Sequence, residues 1–166
     1  MDDRIRDAMQ QVYTGESKAL LRLLVYAEKA QQEGYPQIAK LFRVIAHSEW
    51  IHGSRALRYL REIKGTEENL KASFESETKI AGVAYDRFVK TATDVDDAAA
   101  LQIFSNAKDV EDTHAKLYQE AMGHIMEERE TTYFVCTLCG YVSDGVLPEV
   151  CPVCGAKKDQ FEEFNR

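Results

Sequence analysis

Glu49-Trp50-Ile51-His52 and Glu111-Asp112-Thr113-His114 decide how this sequence is read. Both are Glu-x-x-His. On an α-helix, residues three apart share a face, so each pair aims a carboxylate and an imidazole at one point. Each pair lies in the middle of a long helical run, beside apolar residues: Ile45 and Ile51 for the first, Phe104, Ala107 and Val110 for the second. Outward from these pairs, Asp3 to Glu130 is dominated by Ala, Leu, Glu, Lys, Gln and Arg, with its only Pro at 36. That composition favours helix throughout. Gly34-Tyr35-Pro36 stops one helix and starts the next. Lys64-Gly65-Thr66 ends the second, with Thr66 placed to cap the third. Thr93 to Asp97 separates the third from the fourth, with Asp94 as its expected cap. The spacing predicts helices near 3–32, 36–63, 67–91 and 95–129. Each spans roughly 38–50 Å at about 1.5 Å per residue, and four such helices with short joints make a four-helix bundle.

The other two helices each offer a carboxylate on an apolar face. Glu16 in the first is followed at helical spacing by Leu20 and Leu23. Glu77 in the third lies on a stripe with Phe74, Ile80, Ala81 and Ala84. Glu75 fits that helix less well, since its neighbours are Ala72, Lys79 and Gly82, and it stands as the alternative. Two Glu-x-x-His pairs plus one Glu from each remaining helix is the donor set of a carboxylate-bridged di-iron or di-manganese site. The charges balance: four carboxylates, two neutral imidazoles and two divalent cations sum to zero. Without cations, four carboxylates among apolar side chains would be strongly destabilising. A lone Glu-x-x-His is common by chance, but two copies on alternate helices are specific. His47 and His124 lie off this pattern and are expected at the surface, and Glu127-Glu128-Arg129-Glu130 reads as a solvated helix end and hinge.

All four cysteines lie in the last 31 residues, as Cys136-Thr137-Leu138-Cys139-Gly140 and Cys151-Pro152-Val153-Cys154-Gly155. Each Cys-x-x-Cys forms a knuckle whose following Gly permits the turn, and two knuckles make a tetrahedral four-thiolate site. The spacing alone admits structural zinc or iron, with disulfides a minor option. Thr131 to Val135 reads as a strand leading into this tail. The expected domains are 1–130 and 131–166. A segment of about 36 residues cannot fold on apolar burial alone, so the metal also holds it together. The net charge of −7 argues against nucleic acid and anionic membrane as partners. No apolar run suggests a membrane span or signal peptide, and the expected location is cytoplasmic.

With these residues in hand, the chain resembles the rubrerythrins. Gly15-Glu16-Ser17, Glu33-Gly34-Tyr35 and Ile38-Ala39-Lys40-Leu41-Phe42-Arg43 leading to Glu49-x-x-His52 match, as do Asn69-Leu70-Lys71 and Glu111-x-x-His114. The tail, from Cys136-x-x-Cys139-Gly-Tyr to Cys151-Pro-x-Cys154-Gly, resembles the rubredoxin-type domain of that family. The resemblance implies an all-α ferritin-like four-helix bundle with a small C-terminal rubredoxin-like metal-binding β domain. It implies two irons in the bundle, one iron on the four Cys (zinc as a replacement), and reduction of hydrogen peroxide to water in oxidative-stress defence. Electrons would arrive from rubredoxin or an NAD(P)H-dependent reductase. Glu49 and Glu111 would bridge the irons, with Glu16 and His52 completing one and Glu77 and His114 the other. Tyr85 matches a family tyrosine that hydrogen-bonds the cluster, whereas the tyrosine expected on the first helix is Leu23 here.

One departure matters. Rubrerythrins usually carry a seventh ligand, a Glu three residues after the first Glu of the third helix, and here that position is Ile80. The remaining six resemble the symmetric set of bacterioferritin-like sites. A ferroxidase or O₂-reducing oxidase is therefore the alternative function. In ferritin-like bundles the second and third helices run parallel, so the chain must return about 36 Å from one metal level to the other. The joint at Lys64 to Glu67 reaches only roughly 14 Å. Either the bundle runs up-down-up-down, or two chains exchange helix pairs in a homodimer, which the resemblance favours.

Overall fold

The computed structural model describes residues 1–123 and 131–164. His124, expected at the surface, and the hinge expected at 127–130 lie outside them. Packing divides the chain into two units, Met1–Lys64 and Gly65–Arg166.

The first unit is a helical hairpin, α1 (Asp3–Gln32) and α2 (Pro36–Leu60). Asp2 caps α1, its carboxylate accepting from the Arg4 backbone N–H at 2.9 Å. Gly34, at φ 81°, turns the chain left-handed after α1. There the Tyr35 N–H reaches back to the Ala30 carbonyl at 2.8 Å. Pro36 then opens α2 with its φ already helical. The seam is lined by small residues, Ala27 and Ala30 on α1 and Ala39, Ala46, Gly53 and Ala56 on α2. The steps 39, 46, 53 are two helical turns each, so one narrow stripe of α2 meets α1 at close range. A Cβ added at Gly53 would stand 3.6 Å from the Glu16 Cβ, an ordinary contact, so Gly53 lies opposite Glu16 on the seam.

In the second unit, α3 (Thr66–Lys79) runs through a π-helical segment, Ile80–Tyr85, into α4 (Asp86–Asp94). α5 (Ala98–Gly123) packs along all three. Two caps differ from expectation by a few residues. Gly65 rather than Thr66 precedes α3. Asp94 ends α4, and Asp97 caps α5 instead, its Oδ1 accepting from the Ala100 N–H at 2.9 Å. The Asp97 N–H closes α4 on the Ala92 carbonyl at 3.0 Å. A left-handed Asp96, φ 54°, makes both possible.

The π-helical segment absorbs one extra residue. Leu70, Glu77, Tyr85 and Ala92 all face inward, at steps of seven, eight and seven. In an unbroken helix a residue eight positions on stands about 80° off the face of the first. With the wider turn, Tyr85 shares the face of Glu77. Ile80, expected on the Glu77 stripe, is instead 37% exposed, while Ala81 is buried. Beyond the segment Phe88 packs between Tyr85 and Phe104, at ring separations of 5.7 and 5.5 Å. Lys108 pairs with Asp86 at 2.5 Å.

The tail is a three-stranded antiparallel sheet, β1 (Tyr133–Cys136), β2 (Val142–Asp144) and β3 (Phe161–Phe164), with β1 central. Its core is Cys136, Cys151 and Ala156, with Tyr141 and Phe161 packed against them. Among the described residues no helix is long and apolar enough to cross a membrane.

Candidate metal centres

The helical seams bring the expected donors together in two sets of three. Glu16, Glu49 and His52 meet in the first unit, and Glu77, Glu111 and His114 in the second, with donor atoms of each set within 4.8 Å of one another. His52 Nδ1 stands 3.1 Å from Glu49 Oε2 and 3.8 Å from Glu16 Oε1. His114 Nδ1 stands 3.0 Å from Glu111 Oε2. Each Glu-x-x-His thus closes on itself across one helical turn, and the neighbouring helix supplies the third donor. Glu75 lies on the surface beside Lys71. His47 is exposed and stacks on Trp50, away from the set.

The electrostatics of both sets call for cations. The Glu16 carboxyl is held above its ordinary range, chiefly because it shares a proton with the adjacent Glu49. Glu77 is pushed up to about 7 by partial burial, by a shared proton with Glu111 and by that group's charge. Two carboxylates that share a proton for want of a counter-charge offer their oxygens to a divalent metal. Tyr85 is raised too, by burial and by the charges of Glu111 and Glu77, so its phenol lies within their field and stays protonated.

A pH dependence follows for the metal-free chain. Folded Glu77 keeps its proton to higher pH than the unfolded side chain, whose ordinary value is 4.5. The folded state therefore binds more protons between about 4.5 and 7, and stability falls as pH rises through that window. Melting of the chelated protein should move to lower temperature from pH 5 to 7, and saturating divalent metal should abolish the trend. A flat or rising melting temperature in the chelated protein would contradict the uncompensated carboxylates.

The four cysteines make a third centre. Cys136 and Cys154 sulfurs are 3.7 Å apart and those of Cys139 and Cys151 3.6 Å. A disulfide needs about 2.05 Å. A tetrahedron with metal–sulfur bonds of about 2.3 Å has edges near 3.8 Å, so the cage fits one ion. The two knuckles repeat one hydrogen-bond pattern. Gly140 donates to the Cys136 carbonyl and Gly155 to that of Cys151, at 2.9 and 3.0 Å. Both glycines have φ above 70°, where a side chain would be strained. Burial raises the thiols of Cys139 and Cys154, most strongly that of Cys139. At Cys136 the backbone N–H groups of Cys139 and Leu138 outweigh burial and lower it.

The sequence does not mark Gly53, and it shows Val110 only as an apolar neighbour of the second Glu-x-x-His pair. Gly53 lies opposite Glu16 on the seam. Val110, one residue before Glu111, is buried against the tail: a side chain at Gly140 would meet its Cγ1 at 4.0 Å. Neither carries a ligating atom, so no motif marks them.

Comparison with known proteins points to one family. The family profile described as rubrerythrin matches residues 7–122, and that of the rubrerythrin rubredoxin-like domain matches 134–162. The chain is 31% identical to Rubrerythrin-2 of Clostridium acetobutylicum, over 95% of each protein. It is 29% identical to nigerythrin of Nitratidesulfovibrio vulgaris, over 90% of this chain and 81% of that one. The solved structure of nigerythrin in its partially reduced state superposes with a TM-score of 0.60 at 26% identity, covering 96% of this chain and 86% of the other. A ferritin-like helical bundle with ligand sets for a di-iron site, followed by a tetracysteine strand domain, places the chain in the rubrerythrin family.

Proposed function

We propose that this chain is a di-iron peroxidase of oxidative-stress defence that reduces hydrogen peroxide to water in the cytoplasm. Residues 1–130 form the peroxide-reducing domain and 131–166 the electron-delivering one. The observation that carries this reading is the presence of two carboxylate–histidine sets and a four-thiolate cage in one chain. A ferroxidase draws electrons from the iron it oxidises and gains nothing from a thiolate relay. Each turnover consumes one peroxide, two electrons and two protons and yields two waters. The electrons come from a reduced carrier such as rubredoxin or from an NAD(P)H-dependent reductase.

Glu49 and Glu111 would be the carboxylates shared between the two metals. Glu16 with His52 completes one metal position, and Glu77 with His114 the other. A di-iron pair held by these residues would supply the two-electron reduction of the peroxide. The protein holds the donors on four packed helices and keeps a proton at the phenol of Tyr85. That phenol lies within the field of Glu77 and Glu111 and would be available to protonate a departing oxygen.

Ile80 favours a second reading, reduction of O₂ or ferroxidation. An aliphatic side chain stands at the seventh-ligand position and is partly turned to solvent. With no rival carboxylate to displace it, His52 would remain a ligand through turnover. The expected result is oxidation of the di-ferrous protein by O₂ at a rate nearer that of peroxide than in seven-ligand relatives. Stopped-flow oxidation by each oxidant decides it. Peroxide faster by orders of magnitude would remove Ile80 as the determinant and leave the peroxidase alone.

The site is completed by a second copy of the chain. Helix α2 runs about 17 Å from Glu49 to its end at Leu60, and α3 another 17 Å from Thr66 to Glu77. Parallel helices within one chain would need a return of about 33 Å, whereas residues 61–65 reach roughly 20 Å. The α1–α2 hairpin buries only Ala and Gly among its helix residues, and Val12, Leu24, Leu41, Val44 and Ile51 are exposed. A partner's α3–α5 covers that apolar face and supplies the missing three ligands. The dimer is thus exchanged, and each di-iron site draws on two chains. Sedimentation should give twice the chain mass. A monomer retaining two irons in its bundle would overturn the exchange.

A further inference from the structure

Three arginines without acidic partners meet at the open end of the α1–α2 hairpin. Arg6 on α1 and Arg58 and Arg61 at the end of α2 line one cleft of about 710 Å³, together with Ile5, Tyr59 and Leu60. From Glu49 to Leu60 the helix runs about 17 Å, so the cleft is well removed from the ligands on α2. The chain as a whole is acidic, with a net charge of −7, yet Arg55, Arg58, Arg61 and Lys64 recur at every third position with Glu62 the only acid among them. Asp2 is the one acid that lines the cleft, and it is already committed. Its carboxylate accepts from the Arg4 guanidinium at 2.8 and 3.1 Å and caps the Arg4 backbone N–H at 2.9 Å. Among the described residues no carboxylate pairs with Arg6, Arg58 or Arg61.

The end of α2 does not need these guanidiniums. The Arg61 and Glu62 backbone N–H groups close it on the Arg58 and Leu57 carbonyls, at 3.1 and 3.2 Å. Arg61 makes that closure at φ 60°, a left-handed position where glycine is the usual residue and a side chain is strained. An arginine there puts a third guanidinium on the cleft in spite of the strain. Guanidiniums present paired N–H donors that match phosphate oxygens. The cleft is larger than one phosphate group needs and falls within the range of about 300–1,000 Å³ for sites that take a whole small molecule. Tyr59, 50% exposed, offers a ring face to a planar group. We propose that this cleft binds a nucleoside diphosphate or triphosphate, with its phosphates on Arg6, Arg58 and Arg61 and its base against Tyr59. The site uses no metal ligand, so it stands apart from the peroxidase reading.

Isothermal titration of the full-length, iron-loaded protein with ADP, without added divalent metal, tests it. One ADP should bind per chain, more weakly as salt is raised. Adenosine, which lacks phosphates, should not bind. Pyrophosphate, which leaves Tyr59 bare, should bind about tenfold more weakly than ADP. Arg58→Gln should weaken ADP binding at least about tenfold, whereas Arg55→Gln, on α2 but outside the cleft, should leave it within about twofold. Arg61→Gly should also weaken it at least about tenfold while melting no lower than the wild type, since glycine suits φ 60°. That pairing separates a lost contact from a lost fold. Iron content should be the same in all three variants. No heat with ADP at millimolar concentration, or unchanged binding in both Arg58→Gln and Arg61→Gly, would overturn the site. Pyrophosphate bound as tightly as ADP would overturn the nucleotide as its ligand. Equal weakening by Arg55→Gln would overturn the cleft in favour of long-range attraction by the arginine-rich end of α2.

Discussion

Chains carrying Glu49→Ala and chains carrying Glu111→Ala should each lose at least about 100-fold in peroxide turnover, yet a mixture of the two should recover about a quarter of the wild-type rate. Either substitution alone removes a bridging carboxylate from every site and leaves the bound metals short of one negative charge. In an exchanged mixed dimer the two lesions fall in the same site. The other site then pairs an intact α1–α2 hairpin from the Glu111→Ala chain with an intact α3–α5 from the Glu49→Ala chain. Random re-pairing makes half the dimers mixed, and half the sites in those are whole. If each chain closed its own bundle, every site would carry a lesion and mixing would recover nothing. The alanine truncations fall on half-buried seam positions, so Glu49→Gln and Glu111→Gln, which keep the volume, should give the same pattern should the alanine chains fold poorly.

The parts of this molecule that follow from short-range chemistry were readable from the chain. Gly34 and Pro36 bracket the first turn because left-handed φ and a missing N–H each suit only one side of a helix boundary. The cage follows from two Cys-x-x-Cys-Gly units because the knuckle is a local hydrogen-bonded turn. Both Glu-x-x-His pairs close on themselves as spaced. What escaped depends on partners distant in sequence or on backbone departures without a residue signature. Asp94 and Asp97 are chemically equal cap candidates, and only the left-handed Asp96 selects between them. The wide turn at Ile80–Tyr85 has no compositional mark, so a strict 3.6-residue period misplaces Ile80. The Val110–Gly140 contact joins two apolar positions 30 residues apart, and sequence spacing is silent on such pairs.

Replacing one cysteine of each knuckle, Cys139→Ser with Cys154→Ser, should abolish the red colour of the iron-loaded tail and lower steady-state peroxide turnover with a reduced rubredoxin-type donor by at least about 100-fold. The buried residues of the tail core are Cys136, Cys151 and Ala156, too little apolar area to hold three short strands together. A structural tetrahedral ion in a domain of this size contributes on the order of 10–16 kcal/mol, so without it the sheet itself is lost. The bundle does not share that fate, since its helices pack on their own seams. Oxidation of the chemically pre-reduced bundle in a single turnover should therefore be retained, along with the bundle metal content. The bridging-carboxylate variants should show the reverse: red tails that are reduced readily by the donor and have nowhere to send the electron. A double-cysteine variant that kept its donor-dependent turnover would show that carriers reach the bundle directly. The tail would then be a structural appendage, and the case for a peroxidase over a ferroxidase would lose its main support.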